Sequence, residues 1–123
     1  MEARATKKYI RCSPRKMRLV IDLIRGKNAF DAMNILHFNT KLAATDAEAV
    51  LRSAISNLSN VSEAEGNVFS PEEVKVKAAW VNPGPAMKRI LPAPMGRAYR
   101  MKKRSNHLTI VVETLDQQKN NNK

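Results

Sequence analysis

The chain has a single cysteine among its 123 residues. That excludes an internal disulfide framework and a cysteine-based zinc site, so Cys12 reads as a small, inert hydrophobe in a reducing compartment. Long apolar runs are missing as well. Leu19-Val20-Ile21, Ala78-Ala79-Trp80-Val81 and Ile110-Val111-Val112 fall far short of the roughly 18 residues of a membrane span, and no apolar signal region opens the chain. A cytoplasmic protein without membrane insertion is expected. Catalytic signatures are equally scarce: no phosphate-cradling G-x-x-x-x-G-K-[ST] loop, no Cys/His metal spacing, no internal repeat, and no motif that would hold two carboxylates around a substrate. His37 and His107 fall in different predicted elements, His37 as a helix-packing or surface residue. Nothing here calls for an enzyme, a cofactor or a metal.

Acids are missing where bases crowd. Lys+Arg outnumber Asp+Glu by 22 to 11, for a net charge of +11 and a polyanionic partner. Residues 1–27 carry nine basic and two acidic residues, 28–73 two basic and seven acidic, and 74–112 nine basic and no acid. This sorting predicts a body with one face toward a polyanion and another toward water. The length suits one domain.

In RCSPRKMRLVIDLIRGK, Ser13 is a good N-cap, Pro14 sits at the first helical position and Gly26 ends the run. Met17, Val20, Ile21 and Ile24 form one apolar stripe, leaving Arg15, Lys16, Arg18 and Arg25 around the other sides. The preceding segment, Arg4 to Arg11, reads as a strand that adds Arg4, Lys7, Lys8 and Arg11 to the same basic end. A second helix is expected from Asn28 to about Phe38, with Phe30, Met33 and Leu36 or His37 inward. A third follows Thr40, its stripe running through Ala43, Ala47, Val50, Leu51, Ala54, Ile55 and Leu58. Asn60 to Asn67 reads as a loop, and Ser70-Pro71-Glu72-Glu73 as a turn.

From Val74 the period becomes two. Val74, Val76, Ala78 and Trp80 are expected inward, alternating with Lys75, Lys77 and Ala79; Leu108, Ile110 and Val112 alternate in a partner strand. Trp80 is read as core or hairpin base. Between the strands lies NPGPAMKRILPAPMGRAYRMKKRS, Asn82 to Ser105, with four of the six prolines, seven basic residues and no acid. Arms of about twelve residues could reach on the order of 40 Å, further than the body's own radius, so the stretch cannot fold against its own domain along its length. Lys88, Arg89 and Arg97 lie near the tip. Arg100, Lys102 and Arg104 fall on one face of an extended strand with Lys103 on the other, a pattern that fits a ribbon surrounded by phosphates. Ile90, Leu91, Met95, Tyr99 and Met101 suit sugars and splayed bases, which favours structured RNA over regular duplex. His107, beside the basic arm, can donate to a phosphate or a base.

RCSPRKMRLVIDLIRGK, VLRSAISNLSN and GRAYRMKKRSNHLTIVVE resemble, in order and spacing, three signatures of the bacterial ribosomal protein L twenty-two family, and the likeness runs from about Arg4 to Glu113. The resemblance implies an α+β fold, three helices on a three-stranded antiparallel sheet with a long extended β-hairpin. It implies a body of residues 1–81 and 106–115, a hairpin of 82–105, and a flexible tail of 116–123. The expected role is that of a structural constituent of the cytoplasmic large ribosomal subunit. It would bind several domains of large-subunit ribosomal RNA, support assembly beside neighbouring ribosomal proteins, and line the nascent-peptide exit tunnel. RNA contacts are expected at the basic residues named above, Lys75 and Lys77 included. Two departures mark this chain. Asn82-Pro83 stand where the family commonly has an acidic pair, and the tip, Ile90-Leu91-Pro92-Ala93-Pro94-Met95-Gly96, is apolar where the family is basic. That neutral tip is expected to face the tunnel and the passing polypeptide. TKLAATDAEAV also lacks the basic start usual for the third helix, and no RNA contact is assigned to it. Two other classes suit such a charge: a free nucleic-acid binder wedging a duplex minor groove, and a binder of anionic membranes.

Overall fold

The computed structural model describes residues 2–66 and 71–114. The expected tail lies outside these residues. Strand β1 (Glu2–Ile10) leads into helices α1 (Pro14–Asp22), α2 (Ala29–His37) and α3 (Leu42–Ala64). A 3₁₀ turn (Pro71–Glu73) then opens β2 (Val74–Pro83), β3 (Met87–Pro92), a second 3₁₀ turn (Pro94–Gly96), β4 (Ala98–Lys103) and β5 (Asn106–Thr114). The fold is α+β. One antiparallel sheet has the order β1-β5-β2, and β3 pairs with β4 in a separate two-stranded ribbon.

Helix α1 starts where its caps demand. The Ser13 side chain accepts from the Lys16 amide, and Pro14 occupies the first turn. The helix ends at Asp22, earlier than its periodicity suggests. A turn carries Ile24 into the core beside Met17, Val20 and Ile21, and Gly26 (φ +79°) reverses the chain. Helix α3 is longer than expected. The stripe of Ala54 and Leu58 continues four residues on to a buried Ser62, so 60–64 extend the helix rather than forming a loop. Leu51 and Leu58 of α3 meet Leu108, Ile110 and Val112 of the central strand, all fully buried. These large side chains make α3 against β5 the axis of the core.

Three inward assignments, Phe30, Ala78 and Trp80, are overturned. Phe30 is 61% exposed; Leu36 is buried as expected, with Ala29 and Ala32 rather than Phe30 beside it. Asn28 accounts for the rotation: its side chain accepts from the Phe30 amide and donates to the Glu72 carbonyl, 2.9 and 2.6 Å. The small alanines then face α3. Trp80 is 39% exposed, with Ala79 and Val81 buried on either side of it. Its face is reversed by a bulge. Val76 opposes Val112, but Ala78 opposes Val111, so one extra residue in β2 exchanges inward and outward positions for the rest of the strand.

Candidate nucleic-acid interface

The ribbon is built mostly of exposed residues, with Met101 and Lys103 of β4 half-buried. All six positions of β3 are exposed, and paired strands of six residues span roughly 20 Å. Register fixes what each face carries. Lys88 and Ile90 oppose Lys102 and Arg100 on one side; Met87, Arg89 and Leu91 oppose Lys103, Met101 and Tyr99 on the other. The first face is cationic. The second mixes two cations with four apolar side chains, a surface that can take both phosphate and base or sugar. Lys88 sits directly across from Lys102, a like-charge pair that opposes strand pairing, and among the described residues no carboxylate meets the ribbon's cations. Arg104 lies beyond the end of β4, so it does not share the Arg100 and Lys102 face by strand register.

The tip turns tightly. Met95 (φ 64°, ψ 31°) and Gly96 (φ 69°) are successive left-handed residues, the combination a type I′ hairpin turn needs, with the Arg97 amide donating to Pro94 and the Ala93 amide to Arg97. A non-glycine residue in this region costs about 1–2 kcal/mol. The turn nevertheless presents Met95 with 94% of its surface exposed.

The ribbon joins the body at a neck closed by hydrogen bonds, among them the Gly84 amide donating to the Ser105 carbonyl at 2.9 Å. Ser105 Oγ donates to the Pro85 carbonyl at 2.5 Å, Arg11 Nη1 to the Arg104 carbonyl at 2.6 Å, and Asn106 Nδ2 to the Cys12 carbonyl at 2.8 Å. The Tyr9 amide donates to His107 Nδ1 at 3.0 Å, and the two rings meet edge to face. This last bond exists because β1 bulges between Lys7 and Ile10: Tyr9 adopts φ 59°, and its N–H leaves the ladder. His107 therefore accepts at Nδ1, which leaves Nε2 as its available donor. At Gly84 a Cβ would meet Ser105 Oγ at 2.6 Å, so a side chain there would have to displace the hydroxyl that donates to Pro85.

The body's cations divide into tied and untied groups. Arg18 donates to the Val81 carbonyl, and Arg25 donates twice to the Ala79 carbonyl and once to Asp22. These guanidinium groups occupy carbonyls of β2, an edge strand, and hold α1 against it. Lys7 is paired with Asp46 at 2.8 Å, and Lys77 with Glu2 at 2.6 Å. Lys77, by its hydrogen bond and then its charge, holds the Glu2 carboxyl below its usual value, and Glu2 raises Lys77 in return. Arg4, Lys8, Arg15 and Lys16 are exposed. Lys75, partly buried at the start of β2, and Lys77 stand at the far end of that strand from the ribbon.

Where the neck meets the N-terminal ends of α1 and α3, a groove of about 900 Å³ opens. Arg11 and Lys16 meet there with Lys102 and Arg104, and with Lys41, from the segment to which no RNA contact is assigned above. A lysine before a helix with no basic start carries no local signal; only the fold sets it opposite the ribbon's base.

A family model for ribosomal protein L22p/L17e matches residues 5–113. A protein of Chlorobaculum tepidum, called large ribosomal subunit protein uL22, is 49% identical over 94% of this chain and 96% of its own. Proteins of the same name from Chlorobium chlorochromatii and Clostridium acetobutylicum are 51% and 43% identical, over 92% and 94% of this chain and 93% and 100% of theirs.

Proposed function

Since the chain belongs to the ribosomal protein L22p/L17e family, a structural and non-enzymatic constituent of the large ribosomal subunit, we propose that it acts there by binding ribosomal RNA through its ribbon, neck and basic body residues. The observation that carries this reading is the direct opposition of Lys88 and Lys102 in an acid-free ribbon without a core of its own. A two-stranded ribbon is marginal in water, and like charges across it weaken it further. Phosphates on both faces convert that repulsion into binding energy, through contacts that release counterions.

The division into a body (1–81 with 106–115) and a hairpin (82–105) belongs to this proposal. So do the RNA contacts of Arg4, Lys8, Arg11, Arg15, Lys16, Lys75, Lys88, Arg89, Arg97, Arg100, Lys102, Lys103, Arg104 and the free edge of His107. Arg18, Arg25, Lys7 and Lys77 already serve internal partners; they add to the field around the RNA and reach a phosphate only as a second partner. In assembly, the body docks at the subunit surface among neighbouring ribosomal proteins while the ribbon crosses RNA domains. The apolar turn at Met95 faces the exit tunnel, where an uncharged end neither holds acidic nascent chains nor repels basic ones.

Subunit reconstitution with site-specific crosslinking tests this. A photoreactive group at position 95 is expected to label nascent polypeptide, and one at position 100 ribosomal RNA, in subunits that retain the protein through a high-salt wash. Release of the protein by the wash would overturn RNA anchoring. RNA labelling from both positions would place the tip in an RNA crevice instead.

A further inference from the structure

Three parts of the chain far apart in sequence line the groove at the neck: residues 11–19, 41–46 and 102–104. Five cations, Arg11, Lys16, Lys41, Lys102 and Arg104, border it against a single acid, Asp46, whose carboxylate is already held by Lys7 at 2.8 Å. The groove is not purely ionic. Leu19 and Leu42 stand in its wall with Cys12 and Ala43, and both leucines are exposed, Leu42 at 84%. Arg11 is tethered at the groove's edge, its Nη1 donating to the Arg104 carbonyl at 2.6 Å.

A phosphate track needs only charge, whereas an aliphatic wall beside a tethered guanidinium offers a flat apolar group two surfaces to lie between. A volume near 900 Å³ lies within the range of sites that enclose a small organic group. We propose that this groove receives one unpaired nucleotide of RNA, its base against Leu19 and Leu42 and the Arg11 plane, its flanking phosphates on Lys16, Lys41, Lys102 and Arg104. The proposal rests on the RNA-binding reading above but adds a different contact. The ribbon's cations meet backbone, while the groove discriminates single strand from duplex, because a base within a helix cannot enter it.

Cys12 supplies the reporter. It is the only thiol of the chain, it lines the groove and it is partly exposed, so its alkylation rate reports occupancy without any added label. The full chain is treated with N-ethylmaleimide alone, with a short single-stranded oligouridylate, with an RNA duplex of equal charge, with inorganic phosphate and with an acidic oligoglutamate peptide, all at one ionic strength. The single strand, at ten times its dissociation constant, is expected to slow alkylation about tenfold, the loss of free site that occupancy requires. Leu42→Asp, at a position too exposed to disturb the core, is expected to lose most of that protection. Equal protection by duplex or phosphate would reduce the groove to a phosphate track, and protection by the peptide alone would make it a protein-docking site. Full reactivity of Cys12 in a chain that still binds large-subunit ribosomal RNA would overturn the nucleotide site and leave the proposed function standing. Failure to bind that RNA at all would overturn both.

Discussion

The body and the ribbon are built from the same backbone pairing yet held in opposite ways. In the body, β5 lies between β1 and β2, and its Leu108, Ile110 and Val112 are sealed beneath α3. In the ribbon, two strands of equal regularity bury no side chain of β3, and lysine opposes lysine. Hydrogen-bonded pairing is common to both, so pairing does not distinguish them. Apolar burial stabilises the body from within, whereas the ribbon carries like charges that no described carboxylate neutralises.

The largest effect should separate them by stability. Leu51→Ala, in the centre of α3, is expected to cost about 2–5 kcal/mol and to lower the thermal midpoint by roughly 10 °C or more. Ile90→Ala, a comparable truncation in the ribbon, should stay within about 0.5 kcal/mol in the free protein. If the two variants melt alike, the ribbon belongs to the core. A smaller effect should appear in binding. Replacing Lys88 and Lys102 by glutamine is expected to flatten the dependence of log affinity for ribosomal RNA on log salt by about 1.4–1.8, two phosphate contacts, without lowering the melting temperature. An unchanged salt slope would remove these lysines from the interface.

The smallest effect concerns the ion pair between Glu2 and Lys77 at the far end of the sheet. The folded Glu2 carboxyl lies below the usual 4.5, so its contribution is fully present above pH 4.5 and is lost as pH falls through the lowered value. Lys77 lies above the usual 10.5, so its share is present below pH 10.5 and lost as pH rises through the raised value. Both groups are exposed and screened by solvent. Glu2→Gln should therefore leave the melting curve at neutral pH within measurement error and remove only a shallow acid-limb dependence. A marked loss at neutral pH would show that the edge of β1 is held more firmly than a surface pair allows.

The sequence by itself determined what depends on neighbours along the chain. Ser13-Pro14 and Gly26 are local signals, and the structure uses them at the ends of α1 and its following turn, because a cap needs only amides a few residues away. The stripe from Ala43 to Leu58 likewise marked the buried side of α3, Ile55 at its margin. The acid-free stretch from Asn82 to Ser105 is plain in the sequence too, since the sorting of charge along the chain needs no tertiary contact. Tertiary structure decided what depends on register and docking. The outward turn of Trp80 follows from one extra residue in β2 opposite β5, and alternation along a single strand cannot reveal a bulge that its partner imposes. Phe30 faces out because Asn28 ties α2 to Glu72, forty-four residues away. Arg18 and Arg25, alike in sequence to the exposed Arg15, become clasps on β2 only once α1 lies along its edge. The groove exists only where the chain brings Arg11, Lys41 and Arg104 together, for a cavity is a property of surfaces that meet, and their meeting is set by the burial of the core beneath them.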